Sequence, residues 1–308
     1  MRAEERILSL LEAAREKGVP QSEIVRKLNL SKSTVSEILS KLEEKRIVVR
    51  REVSQKSYHV WLLKYHPGAI KGILRIGILK ASEYARIVGA GEKVEAIFKV
   101  YRNGIEATRD LVHGVVDVLA SPFITQTFFG VLMKNIKIFR VVAMNGSGVA
   151  ISDGKGFGCS EFSTMERILR KYLKVKGLKG EIFFFDSPEE MIERIQGLKG
   201  IAIWEPYLSM FERVERFNDV LGDFICCSLA VNEDFLATNH ELFEEFLKHY
   251  DKTLPSKGVK KLAELIGMPE KLIKKSLPNY RFDVEIEDLE REIKELGFGR
   301  VQEILSFY

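Results

Sequence analysis

The chain has 308 residues, of which 45% are hydrophobic and 30% charged, as in an ordinary soluble globular protein. That length is long for one compact core and favours two units, one small and one larger. No apolar run approaches a membrane span and the N-terminus lacks the apolar core of a secretion signal, so we expect a cytoplasmic protein. The bias toward Lys, Arg and Glu over Gln and Asn is thermophile-like.

The net charge of +4 is unevenly distributed along the chain. Residues 1–66 carry fourteen Lys and Arg against nine Asp and Glu, whereas the remainder carries thirty-four against thirty-five. All of the positive excess therefore lies in the first fifth of the chain. This favours a small polyanion-binding module joined to a body with another task, and a basic face that is merely solvated is the alternative.

The first sixty-six residues predict three helices followed by a β-hairpin. Apolar periodicity predicts helices over 3–17, 21–28 and 32–45, with Gly18 as the stop of the first and Ser31 as the N-cap of the third. Two β-rich runs within 47–63 flank a polar tip, which is typical of a hairpin. This order of elements predicts a winged helix-turn-helix.

In a winged helix, the third helix enters the DNA major groove with the outward residues of its N-terminal turns. The candidate contacts on that helix are Lys32, Ser33, Thr34, Ser36 and Glu37, and those on the wing are Arg50, Arg51 and Lys56. The segment SKSTVSEILSKLEEKRIVVRR (31–51) resembles the recognition helix and wing of MarR-like regulators. That resemblance implies binding of double-stranded DNA, and a winged helix used for protein contacts is the alternative.

Beyond a break at 66–68, short apolar strands alternate with helices, which predicts parallel α/β sheets. The predicted strands are 74–79, 94–101, 117–123, 136–144, 148–152, 181–186, 200–204 and 224–231, and helices begin near 83, 104, 163 and 188. The chain leaves the first sheet near 141–152 and returns near 224–231, so we expect two lobes, a hinge and a ligand cleft between them. Three further helices (257–266, 269–276 and 285–305) either complete the first lobe or form a dimer contact.

Residues 73–255 resemble the type II periplasmic-binding-protein fold, and specifically the nitrate, sulfonate, taurine and thiamine-precursor substrate-binding family. The resemblance rests on the order of LRIGIL (74–79), GIEATRDLVHGVVDVLASPF (104–123), NGSG (145–148), GIAIWEPY (200–207) and VNEDFLATNHELFEEFL (231–247). It implies a cleft that binds a small molecule. Members of that family are usually exported, whereas this chain carries a DNA-binding module instead.

The loops that follow the strands supply the candidate ligand contacts. They are Ser82, Glu83, Tyr84, Ser121, Phe123, Ser160, Ser163, Thr164, Trp204 and Glu205. Hydroxyls and amides at helix N-termini suit an anion, and the aromatic rings suit a planar ligand. Glu83 and Glu205 instead favour a ligand with an amine or ring nitrogen. Helix caps at Ser121 and Ser163, and a core role for Trp204, are the alternatives.

Signatures of enzymes are absent from the sequence. It contains no Walker loop, dinucleotide fingerprint, paired His ligands or nucleophile elbow, so we predict no catalytic residue, no cofactor and no metal. Cys159, Cys226 and Cys227 have no metal-ligand spacing. Because adjacent residues of a strand point to opposite faces, we expect buried thiols that do not pair.

Together these features predict an α/β protein with a winged helix-turn-helix (1–66) and a two-lobed sensor domain (73–308). Lobe I is expected over about 73–143 and 229–308, and lobe II over about 148–226. The expected function is a regulator of transcription, dimeric or of higher order and without a membrane partner, that binds an anionic or heteroaromatic metabolite. Closure of the lobes would reposition paired winged helices, with 64–72 as the linker. An enzyme of cofactor biosynthesis and an intracellular solute-binding protein are the alternatives.

Overall fold

The computed structural model describes residues 2–54, 57–284, 286–297 and 305. It divides into two compact units, Met1–Gly68 and Ala69–Tyr308.

The first unit combines three helices with a small sheet. Its elements are α1 (Ala3–Ala14), β1 (Val19–Pro20), α2 (Gln21–Leu28), α3 (Lys32–Glu44), β2 (Val48–Ser54) and β3 (Ser57–Leu62). The winged helix order is confirmed, and α2 and α3 begin at their predicted residues. Strand β1 was not predicted. It pairs antiparallel with β3, which gives a three-stranded sheet in the order β1-β3-β2.

The core of the first unit is built from one face of each helix. Val35, Leu39 and Leu42 of α3 are fully buried together with Ile7 and Leu11 of α1. Burying each of the larger of these side chains contributes about 1.5–3 kcal/mol. Because these residues recur at helical spacing, the opposite face of α3 is left at the surface.

The second unit contains the remaining strands and helices. They are β4 (Arg75–Leu79), α4 (Ala85–Gly91), β5 (Ile97–Tyr101), α5 (Gly104–Val112), β6 (Val118–Pro122), α6 (Phe123–Met133), β7 (Ile136–Asn145), β8 (Ser147–Ile151), β9 (Phe157–Cys159), α7 (Thr164–Val175), β10 (Ile182–Phe184), α8 (Pro188–Arg194), β11 (Gly200–Trp204), β12 (Val214–Arg216), α9 (Phe217–Leu221), β13 (Ile225–Asn232), α10 (Glu233–Thr238), α11 (His240–Lys252), α12 (Val259–Ile266), α13 (Glu270–Ser276), β14 (Tyr280–Arg281) and α14 (Ile286–Glu295).

These strands form two sheets, each covered by helices, as the two-lobed prediction required. Lobe I is built on a six-stranded sheet of order β14-β7-β13-β6-β4-β5, and lobe II on a five-stranded sheet of order β10-β9-β11-β8-β12. The prediction that the sheets are parallel is wrong in part. Strand β4 runs parallel to β5 and β6, but β13 is antiparallel to β6 and β7, and β8 is antiparallel to β11. The strands through which the chain enters each lobe, β8 in lobe II and β13 in lobe I, therefore run antiparallel to their neighbours.

The chain passes from lobe I to lobe II between β7 and β8, and returns between α9 and β13. Glycines with positive φ mark both crossings, Gly146 at +74° and Gly222 at +76°. A Cβ on Gly146 would lie 1.9 Å from the ring of Tyr280, so only glycine fits there.

Strand β13 is irregular where its two cysteines lie. Its register with β7 shifts between Ile225 and Cys227, so that Cys226 is the extra residue of a β-bulge. The prediction that the two thiols point to opposite faces is therefore wrong, and their Sγ atoms lie 3.6 Å apart. All three cysteines are buried free thiols, as predicted.

The C-terminal helices complete lobe I. Helix α12 packs on α4, and α14 packs against β7 and β13. The last helix is shorter than the predicted 285–305, because it ends at Glu295 before Gly297, whose φ is +83°. Leu305 forms an isolated bridge with Ile138 instead.

Candidate functional site

The N-terminal turn of α3 lies at the surface of the first unit. Ser31 caps the helix, since its Oγ accepts a hydrogen bond of 3.0 Å from the backbone nitrogen of Thr34. Lys32 and Ser33 are exposed, and Thr34 and Ser36 are half-buried. A cation and hydroxyls beside the positive end of a helix dipole favour an anionic partner such as a phosphate.

The other predicted DNA contacts differ in their surroundings. Glu37 is exposed and bonded to Lys41 at 2.8 Å, and this hydrogen bond lowers the pKa of the Glu37 carboxyl. Arg51 is exposed on β2, and Lys56 lies outside the described residues.

Arg50 is held inside the first unit. Its side chain is 17% exposed, its Nη2 lies 2.7 Å from Glu43 Oε2, and the same nitrogen donates to Ser40 Oγ. Because both partners belong to α3, Arg50 braces β2 against that helix. The structure therefore gives Arg50 a bracing role, and its contact with DNA stays a prediction.

In the second unit a small cavity lies between the two lobes. Its volume is about 30 Å³, enough for roughly two water molecules. Lobe I contributes Leu79, Ala81, Glu83, Tyr84, Asn103, Gly104, Pro122, Cys226 and Cys227 to its wall, and lobe II contributes Ser160, Thr164, Met165 and Trp204.

Hydrogen bonds join the lobes around this cavity. Lys80 Nζ of lobe I lies 2.7 Å from Glu189 Oε1 of lobe II, and Trp204 Nε1 donates to the carbonyl of Lys80 at 2.9 Å. Thr125 Oγ1 donates to the carbonyl of Phe162 at 2.9 Å. The lobes are therefore closed on each other.

Five of the ten predicted ligand contacts line the cavity. They are Glu83, Tyr84, Ser160, Thr164 and Trp204. Each follows a strand or lies beside the start of a helix, which is the position from which the sequence predicted them.

The other five are engaged elsewhere. Ser82 Oγ lies 2.6 Å from Ser276 Oγ, Ser121 Oγ accepts from Gln126 Nε2, and Ser163 caps α7. Phe123 is fully buried in the core of the unit. For Ser163 the alternative of a helix cap describes what the structure shows.

Glu205 is fully buried and fully satisfied by its own neighbours. Its Oε1 accepts from Arg216 Nη2 at 2.9 Å and Asn279 Nδ2 at 2.7 Å, while its Oε2 accepts from the backbone nitrogen of Ser209. The Glu205 carboxylate therefore has a structural role, because it joins Arg216 of lobe II to Asn279 in the C-terminal part of the unit.

Glu83 has a different environment at the cavity wall. It is 1% exposed, and burial raises the pKa of its carboxyl to about 7. Its Oε1 accepts from the Cys227 thiol at 3.3 Å, and the Tyr280 hydroxyl interacts with the carboxyl and opposes the rise in its pKa, but no described group makes a well-oriented hydrogen bond to Oε2. Within that part of the chain, no Lys, Arg or His lines the cavity.

Sequence reasoning missed Cys226 and Cys227 as cavity residues. They come from a bulged strand, and the carboxylate they meet follows a strand early in the unit, so no spacing in the sequence connects them. The adjacent pair of cysteines is the one local signal that could have drawn attention to this position.

No helix in the described part of the chain is both long and apolar enough to cross a membrane. The fold and the cavity define a winged helix domain followed by a two-lobed domain of the periplasmic-binding-protein type. Residues 2–56 match the model of the MarR family, so the N-terminal unit contains a MarR-family domain. None of the curated proteins matches the chain.

The chain is also similar to solved structures of binding proteins. One is the ligand-binding component of an ABC-type import system from Staphylococcus aureus with zinc bound (15% identity, TM-score 0.66, 76% of this chain and 96% of that one). A second is the alkanesulfonate-binding protein SsuA from Xanthomonas axonopodis bound to MOPS (13%, 0.60, 77% and 96%). A third is the nitrate-binding protein NrtA from Synechocystis (11%, 0.57, 71% and 74%). Identities this low show a shared fold, and that fold is the one predicted.

Proposed function

We propose that this chain is a ligand-responsive regulator of transcription. The winged helix binds double-stranded DNA, and a ligand in the cavity between the lobes changes that affinity. The observation that carries the proposal is the exposed N-terminal turn of α3, with Lys32 and Ser33, in a MarR-family domain of net positive charge. The binding-protein fold of the second unit supports a sensory role for the rest of the chain.

The cavity favours an effector other than a bare anion. The proteins from Xanthomonas and Synechocystis are named for alkanesulfonate and nitrate, and both ligands are anions. Here the buried carboxylate of Glu83 lies on the wall, and no described lining residue carries a positive charge. A bare anion would therefore be buried without a compensating cation, which is costly. We therefore propose an effector that is neutral or cationic where it meets Glu83.

The protein acts in this proposal as a cytoplasmic homodimer. Two winged helices would bind two half-sites of an operator, and the effector would shift the equilibrium between arrangements that match the half-site spacing and those that do not.

The test is a fluorescence-anisotropy titration of the full chain with duplex DNA from upstream of its own gene, at several salt concentrations. We expect binding that weakens steeply with salt, because phosphate contacts release counterions. Lys32→Ala should weaken binding and reduce the slope of log affinity against log salt by about 1. Lys274→Ala, which removes an exposed lysine of the second unit, is the matched control and should change neither. Absence of salt-sensitive binding to any duplex would overturn the proposal.

A further inference from the structure

Three potential ligand atoms for a metal ion meet at the wall of the cavity. The Sγ atoms of Cys226 and Cys227 lie 3.6 Å apart, and Cys227 Sγ lies 3.3 Å from Glu83 Oε1. All three residues are buried, and one ligand atom from each lies within 4.8 Å of the other two. Two thiols and a carboxyl at one point are also a set of side chains that binds metal ions in proteins.

We propose that Glu83, Cys226 and Cys227 bind a thiophilic divalent metal ion, with Zn²⁺ as the best fit, and that this ion is the effector of the cavity. The assignment of the ion as an effector rests on the regulatory function proposed above, whereas the metal site stands without it.

Two of the three distances among the candidate ligand atoms suit tetrahedral coordination. Bonds of about 2.3 Å to sulfur and about 2.0–2.2 Å to oxygen place two sulfurs about 3.8 Å apart, and a sulfur and an oxygen about 3.5 Å apart. The observed separations of 3.6 Å and 3.3 Å are close to these edges. The third separation, between Cys226 Sγ and the Glu83 carboxyl, is within 4.8 Å, and side-chain shifts that bring these two atoms to the same edge length complete the site around an ion.

The charges around the cluster favour a cation. Glu83 is almost fully buried, and its Oε2 has no well-oriented hydrogen bond within the described part of the chain, although the Tyr280 hydroxyl interacts with the carboxyl. If both carboxylate oxygens bind the ion, Oε2 is engaged as well as Oε1, and the desolvation cost of that buried atom is removed. On binding, the protons of both thiols pass to solvent, and two thiolates and a carboxylate balance the charge of the ion to a net of −1.

A hydroxyl outside the three candidate ligands orients the Sγ of Cys227. Tyr84 Oη donates a hydrogen bond of 3.2 Å to Cys227 Sγ. Such donors outside the ligand set orient a metal ligand and stabilise its charge. Thiolate ligands select Zn²⁺ and other soft ions over Mg²⁺ and Ca²⁺, which prefer oxygen.

The cavity leaves room for a fourth ligand. Its volume of about 30 Å³ suits an ion with one water molecule, whereas a heteroaromatic metabolite would require the lobes to open. Lobe II supplies Ser160 and Thr164 on the facing wall. Thr164 Oγ1 also donates to the carbonyl of Cys226 at 2.9 Å, which joins lobe II to a residue that holds the ion. Occupation of the site is thereby coupled to lobe closure.

Co²⁺ is the probe for the site, because a tetrahedral Co²⁺ thiolate complex absorbs visible light and shows a sulfur-to-metal charge-transfer band. We expect the full chain, reduced and free of DNA, to bind one Co²⁺ with a band intensity that corresponds to two thiolates, and Zn²⁺ to displace it. This measurement needs no variant. Absence of the band in the wild-type chain would overturn the site.

Variants identify the ligands. Cys226→Ser/Cys227→Ser should abolish the charge-transfer band, and Glu83→Gln should weaken Co²⁺ affinity by at least about tenfold. Cys159→Ser removes the third buried thiol, which does not line the cavity, and should leave both the band and the affinity unchanged. An unchanged band in the double variant, with its fold verified by circular dichroism, would assign the ion to other residues and contradict the proposal.

DNA binding, measured on the same preparations, separates the two proposals. Zn²⁺ should change the affinity for the duplex in the wild-type chain and in Cys159→Ser, and should have no effect in Cys226→Ser/Cys227→Ser. If Co²⁺ fails to bind while DNA still binds, the metal site is wrong and the regulator stands. If Co²⁺ binds and no duplex does, the regulator is wrong and the metal site stands. Binding of both without any effect of Zn²⁺ contradicts the role of the ion as effector.

Discussion

Arg75 and Asp117 form a salt bridge inside lobe I, where each side chain is 1% exposed. Arg75 Nη2 lies 2.7 Å from Asp117 Oδ1, its Nε donates to Oδ2 at 3.0 Å, and Nη2 also donates to the carbonyl of Gly114. Burial raises the pKa of Asp117 even though the guanidinium opposes that change. The pair therefore depends on both partners remaining charged although neither side chain is accessible to solvent.

Removal of one charge from this pair should be costly. Asp117→Asn leaves the Arg75 cation buried without its counter-ion, and we expect the free energy of unfolding to fall by roughly 3–5 kcal/mol. Urea denaturation followed by circular dichroism measures the change. Asp153→Asn is the matched control, because Asp153 makes a similar two-pronged pair with Arg213 at the surface, and it should have little effect. Equal losses in the two variants would show that burial does not set the strength of the Arg75 pair.

At the scale of elements, the two crossings between lobes set the shape of the second unit. Both contain a glycine in the left-handed region, but their surroundings differ. A Cβ on Gly146 would overlap the ring of Tyr280, whereas nothing lies within 4 Å of a Cβ on Gly222. Strand β14, which contains Tyr280, pairs with the end of β7 at Asn145, so the first crossing is packed against the C-terminal part of lobe I.

This difference predicts unequal effects of the same substitution. Gly222→Ala should cost about 1–3 kcal/mol through backbone strain alone. Gly146→Ala should cost about 1–3 kcal/mol more, because Tyr280 must also move. Thermal unfolding of the two variants beside the wild-type chain compares them directly. If the Gly146→Ala and Gly222→Ala variants are equally stable, the ring of Tyr280 moves aside with no loss in the free energy of unfolding, and the prediction is wrong.

At the scale of the whole second unit, closure of the lobes decides what the cavity admits. Lys80 and Glu189 join the lobes beside the cavity. Although burial raises it, hydrogen bonds from Lys80 and Tyr207 hold the pKa of the Glu189 carboxyl below its usual range. The indole of Trp204 donates to the carbonyl of Lys80 at the same contact between the lobes, so its fluorescence is sensitive to lobe opening.

Loss of this ion pair should favour the open form of the lobes. Both side chains are partly exposed, so Lys80→Ala should change the ratio of open to closed molecules by no more than about fivefold. In a Trp61→Phe background, which leaves Trp204 as the only tryptophan, its fluorescence should shift toward that of an exposed indole. Lys137→Ala removes a pair with Glu233 inside lobe I and should not alter the signal. The same spectrum for the Lys80 and control variants would exclude a role of the pair in closure.

Local patterns in the sequence determined much of the fold. Ser31 predicted the start of α3 because an N-cap acts on the backbone of its own turn, and the alternation of strands with helices predicted two lobes joined by two crossings. Glu83, Thr164 and Trp204 were predicted at the cavity because the ends of strands and the starts of helices are visible in the sequence, and such ends meet at a cleft.

Tertiary structure alone decided how the predicted side chains are used. Arg50 is bound by Glu43 and Glu205 by Arg216, so both are occupied within the fold. The bulge in β13 turns Cys226 and Cys227 toward Glu83, which makes the cluster at the cavity. The periodicity of apolar residues in the sequence predicts which side chains are buried. A β-bulge or a long-range ion pair instead depends on which strands and helices pack together. Those neighbours are distant in the sequence and become adjacent only when the chain folds.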